Sequence, residues 1–273
     1  MRRTVLPLLL WLTLPGLAFA QALVFVHGYQ ASGQSWREAG IVEILEASGW
    51  HDAGHYTVRH GRISLTEHSR SEQGDPLYTV DLPDEARIAV QARLLRAYLQ
   101  RILKAHPDQQ LALVGHSAGG VVARWVMVHD PDLPAAALIT IASPHLGTNR
   151  AEIGLMAGDS PLGMMAPMVG LDTLNRSRGL FTDLVPPRPG TLLFWLNRQP
   201  HPEARYVAIV RKEEGIGLGD FLVPAESQDL RRVPALAGQA HTIEVPNGHG
   251  LGKRDGRAIA RVLKAGSTGD DGR

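Results

Sequence analysis

The sequence predicts an α/β architecture, a mostly parallel sheet covered by helices on both faces. Three observations predict it. Short runs rich in Leu, Val and Ile alternate with segments of helical period along most of the chain. One such run ends in Gly-x-Ser-x-Gly and is followed at once by a helical pattern. The chain has 273 residues, 44% hydrophobic and 20% charged, which suits one large α/β domain or two small ones.

The first segment stands apart. Arg2 and Arg3 precede the apolar run "VLPLLLWLTLPGLAFA", which ends in the small-x-small pattern Ala18-Phe19-Ala20. This predicts a signal peptide over residues 1–20, cut after Ala20, and a secreted or periplasmic destination. A membrane anchor fits less well, because the run is short, holds Pro7 and Pro15 and ends in a cleavage pattern. No second long apolar stretch follows. Losing both early arginines leaves 26 basic and 27 acidic residues, a net charge near −1. Bulk charge therefore offers nothing to nucleic acid. Cysteine is absent, which excludes disulfides, thiolate metal sites and a cysteine nucleophile.

The elements follow in order. "ALVFVHG" (22–28) reads as a buried strand, and 36–49 as a helix stopped by Gly49. "HYTVRHG" (55–61) reads as a second strand and the polar stretch 62–82 as a loop. The strongest helix is 84–106, with Ile88, Leu95, Leu99 and Ile102 on one face and Pro107 behind it. "QLALVGH" (110–116) is a strand, 118–130 a helix ended by Pro131, and 136–144 a strand. "RYVAIV" (205–210) and "HTIEVP" (241–246) supply two more strands, and 256–265 the last helix. Residues 266–273 read as a disordered tail. Residues 149–200 break the alternation and carry Met156, Met164, Met165 and Met168, four of six methionines. They read as an insertion over one edge of the sheet, within a single domain spanning 21–265.

A strand, a Gly-x-Ser-x-Gly turn and a helix make a nucleophile elbow, with Ser117 as nucleophile. The turn is sharp, so Gly115 and Gly119 supply small flanks, and Gly120 lets helix and strand pack closely. A serine hydroxyl needs a base, and the base needs an orienting acid. On this fold they follow in the order serine, acid, histidine. Asp220 lies beyond "RYVAIV", and His249 sits in a glycine-bracketed loop beyond "HTIEVP". Glu213 and Glu214 belong to a charged run typical of a solvated loop. Asp229 reads as a surface residue at a helix start, and His241 as the opening of the last strand, at the wrong end. Two donors are needed for an oxyanion. The backbone N–H groups of Ala118 and Tyr29 are the candidates, with His27 tying down the Tyr29 loop. His51, His55, His60 and His68 lack the spacing of a helical zinc pair and read as a polar loop.

Taken together, "FVHGY", "GHSAGG", "IASPHLGT", "LLFWLN", "GDFLVP" and "NGHG" resemble the α/β-hydrolase superfamily, and within it bacterial lipases and lipase-like serine esterases. The resemblance covers about residues 22–265. "SPHLGT" is its most specific part, since it is similar to the Thr/Ser-Pro-His-x-Gly segment of lipases. The resemblance implies Ser117, Asp220 and His249 as catalytic triad and Tyr29 and Ala118 as the oxyanion hole. It implies a lid over an acyl pocket from the methionine-rich segment. The first strand starts almost at the cleavage site, so a minimal sheet of about six strands is expected.

The expected activity is exported hydrolysis of carboxylic esters through an acyl-enzyme, with no cofactor and no metal. The expected partners are a small ester or lipid substrate and, transiently, a lipid interface. An acyltransferase or thioesterase on the same triad, or a secreted binding protein that kept only the fold, are the alternatives.

Overall fold

A computed structural model describes residues 21–67, 74–159, 173–212 and 220–268. The expected signal peptide, His68, Met164, Met165, Met168, Glu213 and Glu214 lie outside these residues. Eight strands form one sheet, in the order β3-β2-β4-β1-β5-β6-β7-β8. They are β1 (Gln21–Val26), β2 (Trp50–Arg59), β3 (Arg62–Thr66), β4 (Asp75–Val80), β5 (Gln110–His116), β6 (Ala135–Ile141), β7 (Arg205–Lys212) and β8 (Ala240–Pro246). Only the β2–β3 pair is antiparallel; every other neighbouring pair is parallel.

The sheet is therefore larger than the six strands expected, and the two extra strands, β3 and β4, lie within the stretch read as a loop. His60 and Gly61 both adopt left-handed backbone, with φ of 50° and 72°. That is the two-residue turn whose twist suits a tight hairpin. It is normally announced by Asn-Gly or Asp-Gly, and His-Gly hides it. Pro76 at the start of β4 hides the second strand, because proline inside an apolar run argues against a central strand.

The parallel strands show why continuous apolar runs work here. Alternate residues face opposite sides, and both sides are buried. Val24, Val26, Leu111 and Leu113 join one core with the long helix α3 (Ile88–Ala105) and with α4 (Ala118–His129). Leu23, Phe25, Ala112 and Val114 join the other, with Trp36 and Ile41 from the first helical segment and Ile259 and Val262 from the last helix. The expected helix over 36–49 is broken into α1 (Ser35–Glu38) and α2 (Ile41–Glu46), because Gly40 takes a φ of 69° between them.

The insertion supplies α5 (Asn149–Asp159), α6 (Thr173–Arg176), α7 (Arg178–Leu184) and α8 (Leu192–Leu196). A short helix, α9 (Ala225–Gln228), follows β7, and α10 (Lys253–Thr268) follows β8. Helix α10 runs three residues into the stretch expected to be a tail. The histidine group also differs from expectation. His51 and His55 belong to β2, and His55 is buried, bridging Thr79 and Asp81 at 2.9 Å each.

Candidate active site

Ser117 sits between the last residue of β5 and the first of α4 with φ 52° and ψ −128°. A non-glycine residue holds such a conformation only where its surroundings enforce it. Here they do. A Cβ on Gly119 would strike the backbone carbonyls of Val26 and His27, and one on Gly115 would strike the backbone of Gly120. The elbow is thus pressed against the carboxyl end of β1 at Gly119 and against its own helix start at Gly115, so side chains are excluded on both flanks.

The base and acid arrive from the two strands beyond. His249 Nε2 lies 3.0 Å from Ser117 Oγ, and His249 Nδ1 lies 2.7 Å from Asp220 Oδ2. The carboxylate can only accept, so Nδ1 carries the proton and Nε2 is free to accept from the hydroxyl. Asp220 is 1% exposed at its side chain. Its Oδ1 accepts from the N–H groups of Leu222 (2.9 Å) and Val223 (3.0 Å), and its Oδ2 also accepts from Gln228 Nε2 at 3.0 Å.

The rival candidates lie elsewhere. Asp229 is paired with Arg231 at 2.8 Å and accepts from Thr242 Oγ1 at 2.6 Å. Despite some burial, hydrogen bonds from Arg231 and Thr242 hold its carboxyl down at about 2. His241 is exposed at the start of β8, paired in register with Val207.

His27 is a tether. It accepts the Leu82 N–H at Nε2 (3.0 Å) and donates from Nδ1 to the Gly28 carbonyl (2.8 Å). Burial lowers its pKa, so the neutral tautomer that this pairing needs is kept. Tyr29 follows directly. Its hydroxyl accepts from Ser177 Oγ at 3.0 Å, and its ring meets Phe181 edge-on with centroids 5.4 Å apart. Tyr29 and Ala118 both line the cavity onto which Ser117 and His249 open, and Ala118 is the first residue of α4, where backbone N–H groups lack helical acceptors. The cavity holds about 420 Å³, and Leu180, Phe181, Leu184 and Val223 make much of its wall. Ile153, Met156, Phe221 and Leu222 are exposed large apolar side chains, and Ile153 and Leu222 also line this cavity.

The "SPHLGT" segment lends Pro144 and Thr148 to the lining of the cavity and braces the acid loop. Thr148 Oγ1 donates to the Leu222 carbonyl at 2.5 Å, and the Leu146 N–H donates to the Ser227 carbonyl at 3.2 Å. Sequence reasoning passed over His116, Arg211, Gln228 and Asp255. His116 is buried below the histidine loop and donates from Nε2 to the His249 carbonyl at 2.8 Å. Burial, then the neighbouring His249, hold its pKa at about 3. Among the described residues, no group of three His, Asp or Glu side chains is placed to hold a metal ion.

The chain is thus a protein of the α/β-hydrolase fold, similar to lipases and esterases. Residues 20–153 match the model of the PGAP1-like alpha/beta domain, a span that includes Ser117 and ends before Asp220 and His249. A triacylglycerol lipase of Pseudarthrobacter phenanthrenivorans is 38% identical over 58 residues, 21% of this chain and 18% of that lipase. The mature form of Bacillus licheniformis lipase BlEst2 superposes with a TM-score of 0.55 at 17% identity, covering 94% of this chain and 95% of that one. The metagenomic carboxyl esterase MGS0156 gives a TM-score of 0.55 at 16% identity, over 91% of this chain and 76% of that one. At such identities the structural likeness establishes the fold.

Proposed function

We propose that the chain is an exported serine hydrolase that cleaves carboxylic esters through an acyl-enzyme. The reading rests on one observation: Ser117 Oγ, His249 and Asp220 stand in a continuous hydrogen-bonded line, at 3.0 and 2.7 Å, beside an apolar cavity. His249 Nε2 takes the hydroxyl proton as Ser117 Oγ attacks the ester carbonyl carbon. Asp220 holds the imidazole in orientation and stabilises its charged form. The N–H groups of Ala118 and Tyr29 receive the oxyanion. Collapse breaks the ester C–O bond, and the imidazolium gives its proton to the departing alcohol. Water then attacks the acyl group, with its proton passing to His249, and the carboxylic acid leaves as Ser117 is restored.

The apolar wall supports an acyl group as the part of the substrate that is buried, and the exposed Ile153, Met156, Phe221 and Leu222 support brief contact with a lipid surface. The names of three similar proteins, two lipases and a carboxyl esterase, accord with this. Residues 1–20 are read as an export signal. A culture expressing the full chain is expected to yield a mature N-terminus at Gln21 outside the cytoplasm; an intact Met1 in the purified protein would overturn export.

The activity is tested with p-nitrophenyl esters and a fluorophosphonate. The wild-type chain is expected to hydrolyse the esters and to gain one phosphonyl adduct on Ser117. Absence of both, beside a working hydrolase, would sink the reading.

A further inference from the structure

Behind the three side chains lies a buried polar relay. Arg211, near the end of β7, is 1% exposed, Gln228 is 1% exposed and Asp255 is 0% exposed. The Arg211 guanidinium donates to both oxygens of Asp255, at 2.6 and 3.2 Å, and to the Gly250 carbonyl at 2.7 Å. Asp255 in turn accepts the Gly252 N–H at 2.9 Å. The loop carrying His249 is therefore gripped on its far side. The backbone N–H of the same arginine donates to Gln228 Oε1 at 2.9 Å. That bond leaves the Gln228 amide facing the other way, with Nε2 donating to the Val223 carbonyl (2.7 Å) and to Asp220 Oδ2 (3.0 Å).

We infer that Arg211 and Gln228 are positioning residues that fix the acid and the base of the active site to one another. The inference rests on the proposed triad. A buried ion pair is poor evidence of stabilisation, because desolvation cancels much of the attraction. What it does supply is direction. Arg211 meets the acid through Gln228 and the base through Gly250, and those two loops share no strand. Chemistry demands such alignment, since small misplacement of a catalytic group costs ~100-fold in rate.

Gln228→Met keeps the volume of the side chain and removes all three of its side-chain hydrogen bonds. It is expected to lower kcat by ~10- to 100-fold. KM should stay within about twofold, since Gln228 itself lines no part of the cavity. Asp220 Oδ2 loses a donor, so its charge acts more fully on His249, and the acidic limb of the pH profile for kcat/KM moves to higher pH. A merely structural glutamine would lower the melting temperature and leave that limb where it was.

Arg211→Met combined with Asp255→Leu removes the pair together and avoids a stranded buried charge. It is expected to lower kcat on the same scale with the limb unmoved. Wild-type kcat and an unmoved limb in Gln228→Met would overturn the inference. Should Gln228→Met not fold, the double variant decides alone, and wild-type kcat in it overturns the inference. Ser117→Ala is the control. If it still turns over ester, the triad falls and the inference with it; if it is inactive while Gln228→Met and the double variant are unimpaired, only the positioning role falls.

Discussion

The serine elbow and the histidine loop look alike in sequence, each a reactive residue bracketed by glycines, yet they are built by opposite means. At the elbow the glycines are compulsory. A Cβ at 115 or 119 would enter neighbouring backbone, and between these two close approaches Ser117 holds its strained conformation. At the loop, a Cβ on Gly248 or Gly250 would meet nothing within 4 Å, and neither residue needs left-handed backbone. His249 is placed instead by buried donors on two carbonyls, His116 on its own and Arg211 on that of Gly250. A glycine motif reports positioning only where something presses on it.

That contrast can be attacked at several points. The largest effect should come from removing what the elbow delivers: Ser117→Ala is expected to cut kcat by about a millionfold with the fold unchanged. Asp220→Asn should cost about 10⁴-fold by disturbing the histidine tautomer, while Asp229→Asn, which alters the Arg231 pair, leaves kcat nearly intact. Steady-state kinetics of the two variants side by side checks the pair, and the reverse ranking would move the acid to Asp229.

Next comes Gly119→Ala, whose methyl group must displace the carbonyls at the end of β1. It should destabilise by ~1–3 kcal/mol or more, visible as a lowered melting temperature. Acid separates the two devices more gently. Burial lowers the pKa of His116 from an ordinary 6.5 to about 3, so the stability that its neutral form contributes is full above 6.5 and is lost as pH falls toward 3. Opening of the histidine loop should therefore grow as pH falls below 6.5, because the opened His116 takes up a proton. Hydrogen exchange of residues 247–252, compared with 118–123 at the start of α4, reads this out; equal pH dependence in both would remove the distinction. The smallest effect belongs to Gly250→Ala. It should leave turnover unchanged and gain at most ~0.4–1 kcal/mol from a stiffer unfolded chain. A large loss of activity there would show that the loop, too, is crowded.

Legibility in the sequence followed the same physics. The strands 110–116 and 205–212 announce themselves as apolar runs, because parallel strands inside the sheet are buried on both faces. The β2–β3 hairpin does not. Its turn is His60-Gly61 rather than a common turn pair, and Val58 and Leu65 are exposed on an edge, so no clear alternation marks it. Ser117, Asp220 and His249 could be proposed from their order after three strands. Arg211, Gln228 and Asp255 could not, because β7, α9 and α10 bring them together only once the sheet is assembled. Arg211 had one local sign, a charge at the end of the apolar run "RYVAIVR", but nothing local told it from a solvated strand end.

Tyr29 grips the insertion with its ring and hydroxyl, while its own amide is the second candidate donor at the serine. A long acyl chain that levers α7 outward would tug that peptide along, loosening the grip on negative charge at the moment of attack. Selection among esters would then be felt in turnover as much as in affinity, with poorly fitting chains bound yet slowly cleaved.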